Sequence, residues 1–234
     1  MLPKEKSKTK EKLEDQTMLL YGIPKIGKST FASQMDKPLF IATEAGLNNL
    51  EVYQVPVSDW ESFLRVAAEI AKGDHEYKTI VIDTVDNLLK FCSDHICKKI
   101  SIAHESDAPY GKAWSLVKNE FLRALNKLSL LPYGLVMISH SQVREIKSRT
   151  GTINKTVPTL TGGGREVVLN MADIIIYAEI VERQKKDGEG TEELRILRTK
   201  PSENYEAGDR TGRLPEILLL DYKEFKKAFE GGKK

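Results

Sequence analysis

At 234 residues the chain is long enough for one sizeable α/β core, and with 36 basic against 34 acidic residues its net charge of +2 does not by itself mark a nucleic-acid-binding protein. Cys92 and Cys97 lie five residues apart on a helix-like segment, hence on different faces, which argues against a disulfide or a metal clip. No apolar run approaches the length that spans a bilayer, so no membrane is expected as a partner.

Residues 1–16 carry lysines at 4, 6, 8, 10 and 12 among acids and lack the apolar segment of a secretory signal. They read as a solvated basic tail on a cytoplasmic protein, or as an arm touching phosphates or a neighbouring subunit. The core is expected over 17–222. Thr17-Met18-Leu19-Leu20-Tyr21 has the apolar character of a buried strand, and Ser29-Thr30-Phe31-Ala32-Ser33-Gln34-Met35 reads as a helix that Lys37-Pro38 stops. Pro38-Leu39-Phe40-Ile41-Ala42 is a second strand. Trp60, Phe63, Leu64, Ala67 and Ala71 mark one face of a helix, and Thr79-Ile80-Val81-Ile82-Asp83 is apolar enough to sit centrally in a parallel sheet.

A helix through Val85, Leu88, Leu89, Cys92 and Ile96 precedes the polar stretch 103–111. Trp114, Val117, Phe121, Leu125 and Leu128 then recur at helical spacing and read as a core stripe. Gly134-Leu135-Val136-Met137-Ile138-Ser139 supplies a fourth strand, with His140-Ser141-Gln142 at its end. Residues 144–165 lose periodicity and read as a long loop of the functional kind. Strands at 173–180 and 194–200 flank a polar hairpin tip at 182–193, an edge strand is expected over 214–220, and a short helix with a Lys-rich tail closes the chain over 223–234. This order predicts an α/β fold: a mostly parallel central sheet with helices on both faces and an antiparallel C-terminal extension.

The strongest signal is Gly22-Ile23-Pro24-Lys25-Ile26-Gly27-Lys28-Ser29, which matches the phosphate-loop pattern G-x-x-x-x-G-K-[ST] in the strand–loop–helix context it requires. Glycines at both ends let the backbone curl so that successive N–H groups face a polyphosphate. Lys28 then reaches the β and γ phosphates of ATP, Ser29 offers a hydroxyl to Mg²⁺, and Thr30 continues the loop into the helix. Asp83, ending an apolar strand and followed by Thr84, fits the carboxylate that holds Mg²⁺ through its water shell. Glu44, at the end of the neighbouring strand, is the candidate to orient or deprotonate an attacking water.

Together with Thr43-Glu44-Ala45-Gly46, Val81-Ile82-Asp83-Thr84, Ser141-Gln142-Val143-Arg144 and Leu197-Arg198-Thr199-Lys200, the phosphate loop resembles the ATPase core of the RecA/RadA recombinase superfamily. Within it the chain is most similar to the small phage-encoded ATP-dependent single-strand annealing proteins, over residues 17–222. The resemblance implies a RecA-like core, Glu44 as the water-activating residue, and Gln142 or His140 as a polar sensor of the γ phosphate. It implies two DNA loops, at 106–112 and 144–165, with Lys112, Arg144, Lys147, Arg149, Lys155 and Arg165 on DNA phosphates. Arg198 and Lys200 would reach across a subunit interface to a neighbour's ATP. Its implied partners are single-stranded DNA, further copies of the chain and a single-strand-binding protein, in a phage protein acting in the host cytoplasm. Two other classes stay open: a nucleotide-dependent scaffold or loader that hydrolyses little, and a phosphotransferase in which 144–165 is a lid.

Overall fold

The computed structural model describes residues 5, 10–148, 151–185 and 190–232. Among them ten strands run in chain order as β1 (Thr17–Gly22), β2 (Pro38–Ala42), β3 (Tyr53–Pro56), β4 (Thr79–Asp83), β5 (Gly134–Ser148), β6 (Gly151–Pro158), β7 (Ile174–Gln184), β8 (Thr191–Arg198), β9 (Gly208–Asp209) and β10 (Ile217–Leu219). The helices are α1 (Lys28–Ser33), α2 (Trp60–Lys72), α3 (Val85–Lys99), α4 (Lys112–Ser129), α5 (Gly162–Met171) and α6 (Tyr222–Gly231). The sheet order is β10-β8-β7-β1-β5-β4-β2-β3, parallel from β7 to β3, with β8 and β10 added antiparallel.

Side chains alternate across the pleat, so each central strand feeds two cores. Leu19, Ile41, Ile80, Ile82, Leu135 and Met137 pack under α2, α3, α4 and α5. Met18, Leu20, Phe40, Val81, Val136 and Ile138 pack under α1 and α6 through Phe31, Phe225 and Phe229. Helices therefore cover both faces, as the continuous apolar strands require. The folded body begins before Thr17: Leu13 in a short turn of 3₁₀ helix is buried, and Glu14 pairs with Lys226 of α6 at 2.5 Å. The tail lysines at 4, 6 and 8 lie outside the described residues.

The reading of 144–165 as an aperiodic loop is corrected. β5 pairs with β1 as far as His140, opposite Gly22, and then continues to Ser148 in an antiparallel hairpin with β6. α5 follows, opening on Gly162-Gly163-Gly164. A Cβ on Gly164 would collide with Leu89 and one on Gly163 would lie 2.7 Å from Lys118, so at these two positions glycine is set by the close approach of α5 to α3 and α4. Three further features differ from the sequence reading. β3, at the sheet edge, was not foreseen, because its four residues are mostly exposed and form no apolar run. Trp114 is 47% exposed and does not join the stripe of α4, whose Val117, Phe121, Leu125 and Leu128 are buried. The strands β7 and β8 also extend into the stretch expected to be the hairpin tip; 186–189 lie outside the described residues.

Candidate functional site

The phosphate loop rises from the end of β1, the strand between β5 and β7. Gly22, still in the sheet, has no room for a side chain: a Cβ there would lie 2.5 Å from the Ala178 carbonyl oxygen of β7. Gly27 caps α1 at φ 117°, in the left-handed region that favours glycine. Between them Ile23, Pro24 and Lys25 are exposed, while Ile26 is buried and anchors the loop onto the α1-side core. Lys28 is only 6% exposed, and its Nζ donates to the carbonyls of Gly22 at 3.0 Å and Ile23 at 2.9 Å. Burial holds that ammonium below its ordinary range, against the upward pull of Asp83, Asp86 and Glu44.

Asp83, Glu44 and His140 meet beside this loop because β4, β2 and β5 end at one edge of the sheet. Ser29 Oγ donates to Asp83 Oδ2 at 2.6 Å, and Asp83 is 4% exposed. Burial raises the Asp83 carboxyl above its ordinary range, with the Glu44 charge adding and Ser29, Lys28 and His140 opposing. Glu44 accepts from Asn87 Nδ2 at 3.0 Å, and its other oxygen stands 3.7 Å from His140 Nε2. His140 Nδ1 and Thr84 Oγ1 are buried without a hydrogen-bond partner among the described residues. The Ser29–Asp83 oxygen pair is the hard donor set that Mg²⁺ takes, and the glycine-bordered cradle and orphaned polar atoms fit a phosphate ligand.

Asp86 was missed by sequence reasoning, being one acid in the first turn of a helix. Its carboxylate accepts from Ser139 Oγ at 2.6 Å and from the His140 backbone N–H at 2.8 Å, tying α3 to β5 where that strand leaves the sheet. Burial raises the Asp86 carboxyl too, opposed by those hydrogen bonds and by His140 and Lys28.

Of the two sensor candidates, His140 lies opposite Gly22 and near Glu44, whereas Gln142 lies at the hairpin base, donating to the Pro158 carbonyl at 3.3 Å. Arg144 donates to the Leu160 carbonyl at 3.1 Å. Lys155 and Arg165 converge on Glu206, at 3.7 and 2.5 Å. Lys112 opens α4, away from that cluster in sequence and element. Lys147 lies on β5, and Arg149 is outside the described residues.

Arg198 and Lys200 do not approach the phosphate loop of their own chain. β8 runs antiparallel to β1, so the path from Arg195 through Arg198 to Lys200 leads away from the loop. Arg198 donates to Glu179 at 2.6 Å and lies over the Tyr205 ring; Lys200 stands 3.4 Å from Asp209.

No described helix is long and apolar enough to cross a membrane. Residues 14–211 match the AAA domain family. Over 135 residues the chain is 27% identical to YorG, an uncharacterized SPbeta prophage-derived protein of Bacillus subtilis strain 168; the match covers 55% of this chain and 42% of that protein. The chain thus spans less than half the length of this curated relative. The family match extends over most of the chain and includes the glycine-bordered loop with its buried lysine and serine–aspartate pair: the chain belongs to the AAA domain family, as a nucleotide-binding P-loop ATPase domain.

Proposed function

We propose that this protein is a RecA-like ATPase that assembles on single-stranded DNA and uses its nucleotide state to promote annealing or strand pairing. The observation that carries this reading is the continuity of β5, which stands beside the phosphate loop at His140 and runs on, without a break, into a hairpin bearing Arg144 and facing Lys155. Cations on such an extended ribbon suit the phosphates of a single strand and would give sequence-independent, salt-sensitive affinity. The exposed Val143 and Ile146 offer apolar surface beside them.

In this reading Lys28 binds the β and γ phosphates, and Ser29 and Asp83 hold Mg²⁺, which would neutralise phosphate charge. Glu44, oriented by Asn87, accepts the proton of the attacking water. His140, beside Glu44, is the sensor that this geometry favours over Gln142. Tyr21, the residue before Gly22, contacts the far side of the hairpin: its hydroxyl lies 3.2 Å from the Thr156 carbonyl oxygen and accepts from the Glu206 N–H at 2.9 Å. The remoteness of Arg198 from its own loop suits action on a neighbouring subunit's nucleotide, with Lys200 beside it.

The test is ATP hydrolysis with and without single-stranded DNA, in the wild type and in Lys28→Ala. Hydrolysis stimulated by DNA and abolished by the substitution is expected. Binding of nucleotide without any DNA response would replace this reading with that of a nucleotide-dependent scaffold.

A further inference from the structure

The side of the phosphate loop facing β7 and β8 carries a cation that the site described so far does not use. Arg195 lies on β8 opposite Ile180, two residues beyond the Leu197–Ala178 pair, and Ala178 in turn pairs with Gly22. At about 3.3 Å per residue this places Arg195 some 7 Å past the level at which β1 ends, the height of the loop itself. It shares a sheet face with Leu197, which packs in the α1-side core, because side chains two apart on a strand point the same way. Its Nη1 donates to the Ile26 carbonyl at 3.2 Å, next to Gly27, and would lie 3.8 Å from a Cβ built there. The backbone at Arg195 is fixed in turn, since its carbonyl accepts from the Leu220 N–H at 2.9 Å. The residue is exposed, and among the described residues its guanidinium, which carries five donors, is bonded to that one carbonyl.

Direction along the loop follows from the sheet order. Asp83, Glu44 and His140 all lie on the β5–β4–β2 side of β1, and Ser29 of α1 is hydrogen-bonded to Asp83 there. That side takes the terminal phosphates, so a polyphosphate crossing the loop leaves it on the other side, over β7 and β8, with its α phosphate and nucleoside. We infer that Arg195 is a nucleotide-binding residue for that end: its guanidinium stacks on the base of the ATP bound by its own chain. This rests on the phosphate-loop reading and adds to it a cis contact that discriminates a nucleotide from bare polyphosphate. A planar guanidinium suits that stacking better than an ammonium does.

Calorimetric titration of the purified chain with ADP and, separately, with inorganic pyrophosphate, both with Mg²⁺, tests the assignment in wild type, Arg195→Ala, Arg195→Lys and Lys28→Ala. ADP affinity is expected to fall about tenfold in Arg195→Ala, with only partial recovery in Arg195→Lys, while pyrophosphate affinity stays within about twofold of wild type. Unchanged ADP affinity in Arg195→Ala would overturn the inference, as would an equal loss for both ligands, which would mean that Arg195 merely shapes the loop. Lys28→Ala is expected to lose both ligands; retention of both would refute the phosphate-loop reading itself, an outcome distinct from failure at Arg195.

Discussion

Replacing Gly22 by alanine tests whether the first glycine of the phosphate loop serves the sheet as well as the ligand. The added Cβ would sit 2.5 Å from the Ala178 carbonyl oxygen and 3.2 Å from the Ala178 Cβ. Neither contact is with a flexible side-chain end: the oxygen belongs to the backbone of β7, which pairs with β1 from Met18 to Gly22. Relief to an ordinary separation near 3.4 Å requires β1 and β7 to part by nearly 1 Å at that point, in the middle of the parallel spine, where interiors are close-packed. Overpacking of this kind costs about 2–3 kcal/mol, which in a chain of this size corresponds to a fall in Tm of roughly 5–10 °C. Gly27→Ala is the companion variant. Its nearest neighbour, Leu220 Cδ2 at 3.2 Å, can shift, so its cost comes from holding alanine at φ 117°, about 1–3 kcal/mol. Urea unfolding of the nucleotide-free proteins measures both. A Gly22→Ala loss below about 0.5 kcal/mol would refute the packing argument, because no side-chain adjustment is open to that site.

Asp83→Asn is expected to stabilise the nucleotide-free protein at neutral pH while losing Mg²⁺–nucleotide binding. Because burial raises the native carboxyl, the native state takes up its proton first, so the cost of the charge is full above the raised native value and vanishes below the ordinary value of 3.8. The gap in Tm between variant and wild type should therefore close as pH falls through that window; a gap that widens would reverse the sign and the argument. Glu206→Gln should strengthen binding of a single-stranded oligonucleotide by about tenfold in a fluorescence titration, since it frees Lys155 and Arg165 from a shared, partly buried carboxylate; unchanged or weaker binding would remove both cations from the interface. Mixing an Arg198→Ala, Lys200→Ala protein with a Lys28→Ala protein should recover hydrolysis if those cations act across a subunit boundary, and mixtures no more active than their parts would exclude it.

What was legible in the sequence was whatever depends on local pattern. β1, β2, β4 and the first half of β5 are buried on both faces, so their apolar runs announce them, and the loop between β1 and α1 has fixed residue types because a phosphate cradle tolerates few others. The outer half of β5 and β6 was illegible: those strands pair with each other away from the core, so no apolar periodicity is imposed on them. α5 was hidden for the opposite reason. Packing against Leu89 and Lys118 selects glycine where helix propensity would select almost anything else, and propensity is all that a sequence displays at such a position. Asp86 and Arg195 carry ordinary residue types at ordinary positions; only the tertiary arrangement brings the one to the His140 backbone and the other to Ile26.

The position of Asp86 also explains why a site residue can be more buried than its charge prefers. Its two hydrogen bonds go to consecutive residues of β5, the Ser139 hydroxyl on one face of the strand and the backbone N–H of His140, the last residue to pair with β1. An amide at this position would still accept one of them but would not charge-assist both, and the end of β5 would be held less firmly. From His140 onward the strand has neither glycine nor proline up to Ser148, so it has no built-in hinge between the nucleotide site and the hairpin. A carboxylate clamped where the parallel sheet gives way to that ribbon fixes the angle at which the ribbon leaves. If nucleotide state is felt at the hairpin, the displacement enters at His140, between the Asp86 clamp on one side and Glu44 on the other, or through the Tyr21 contact with Thr156.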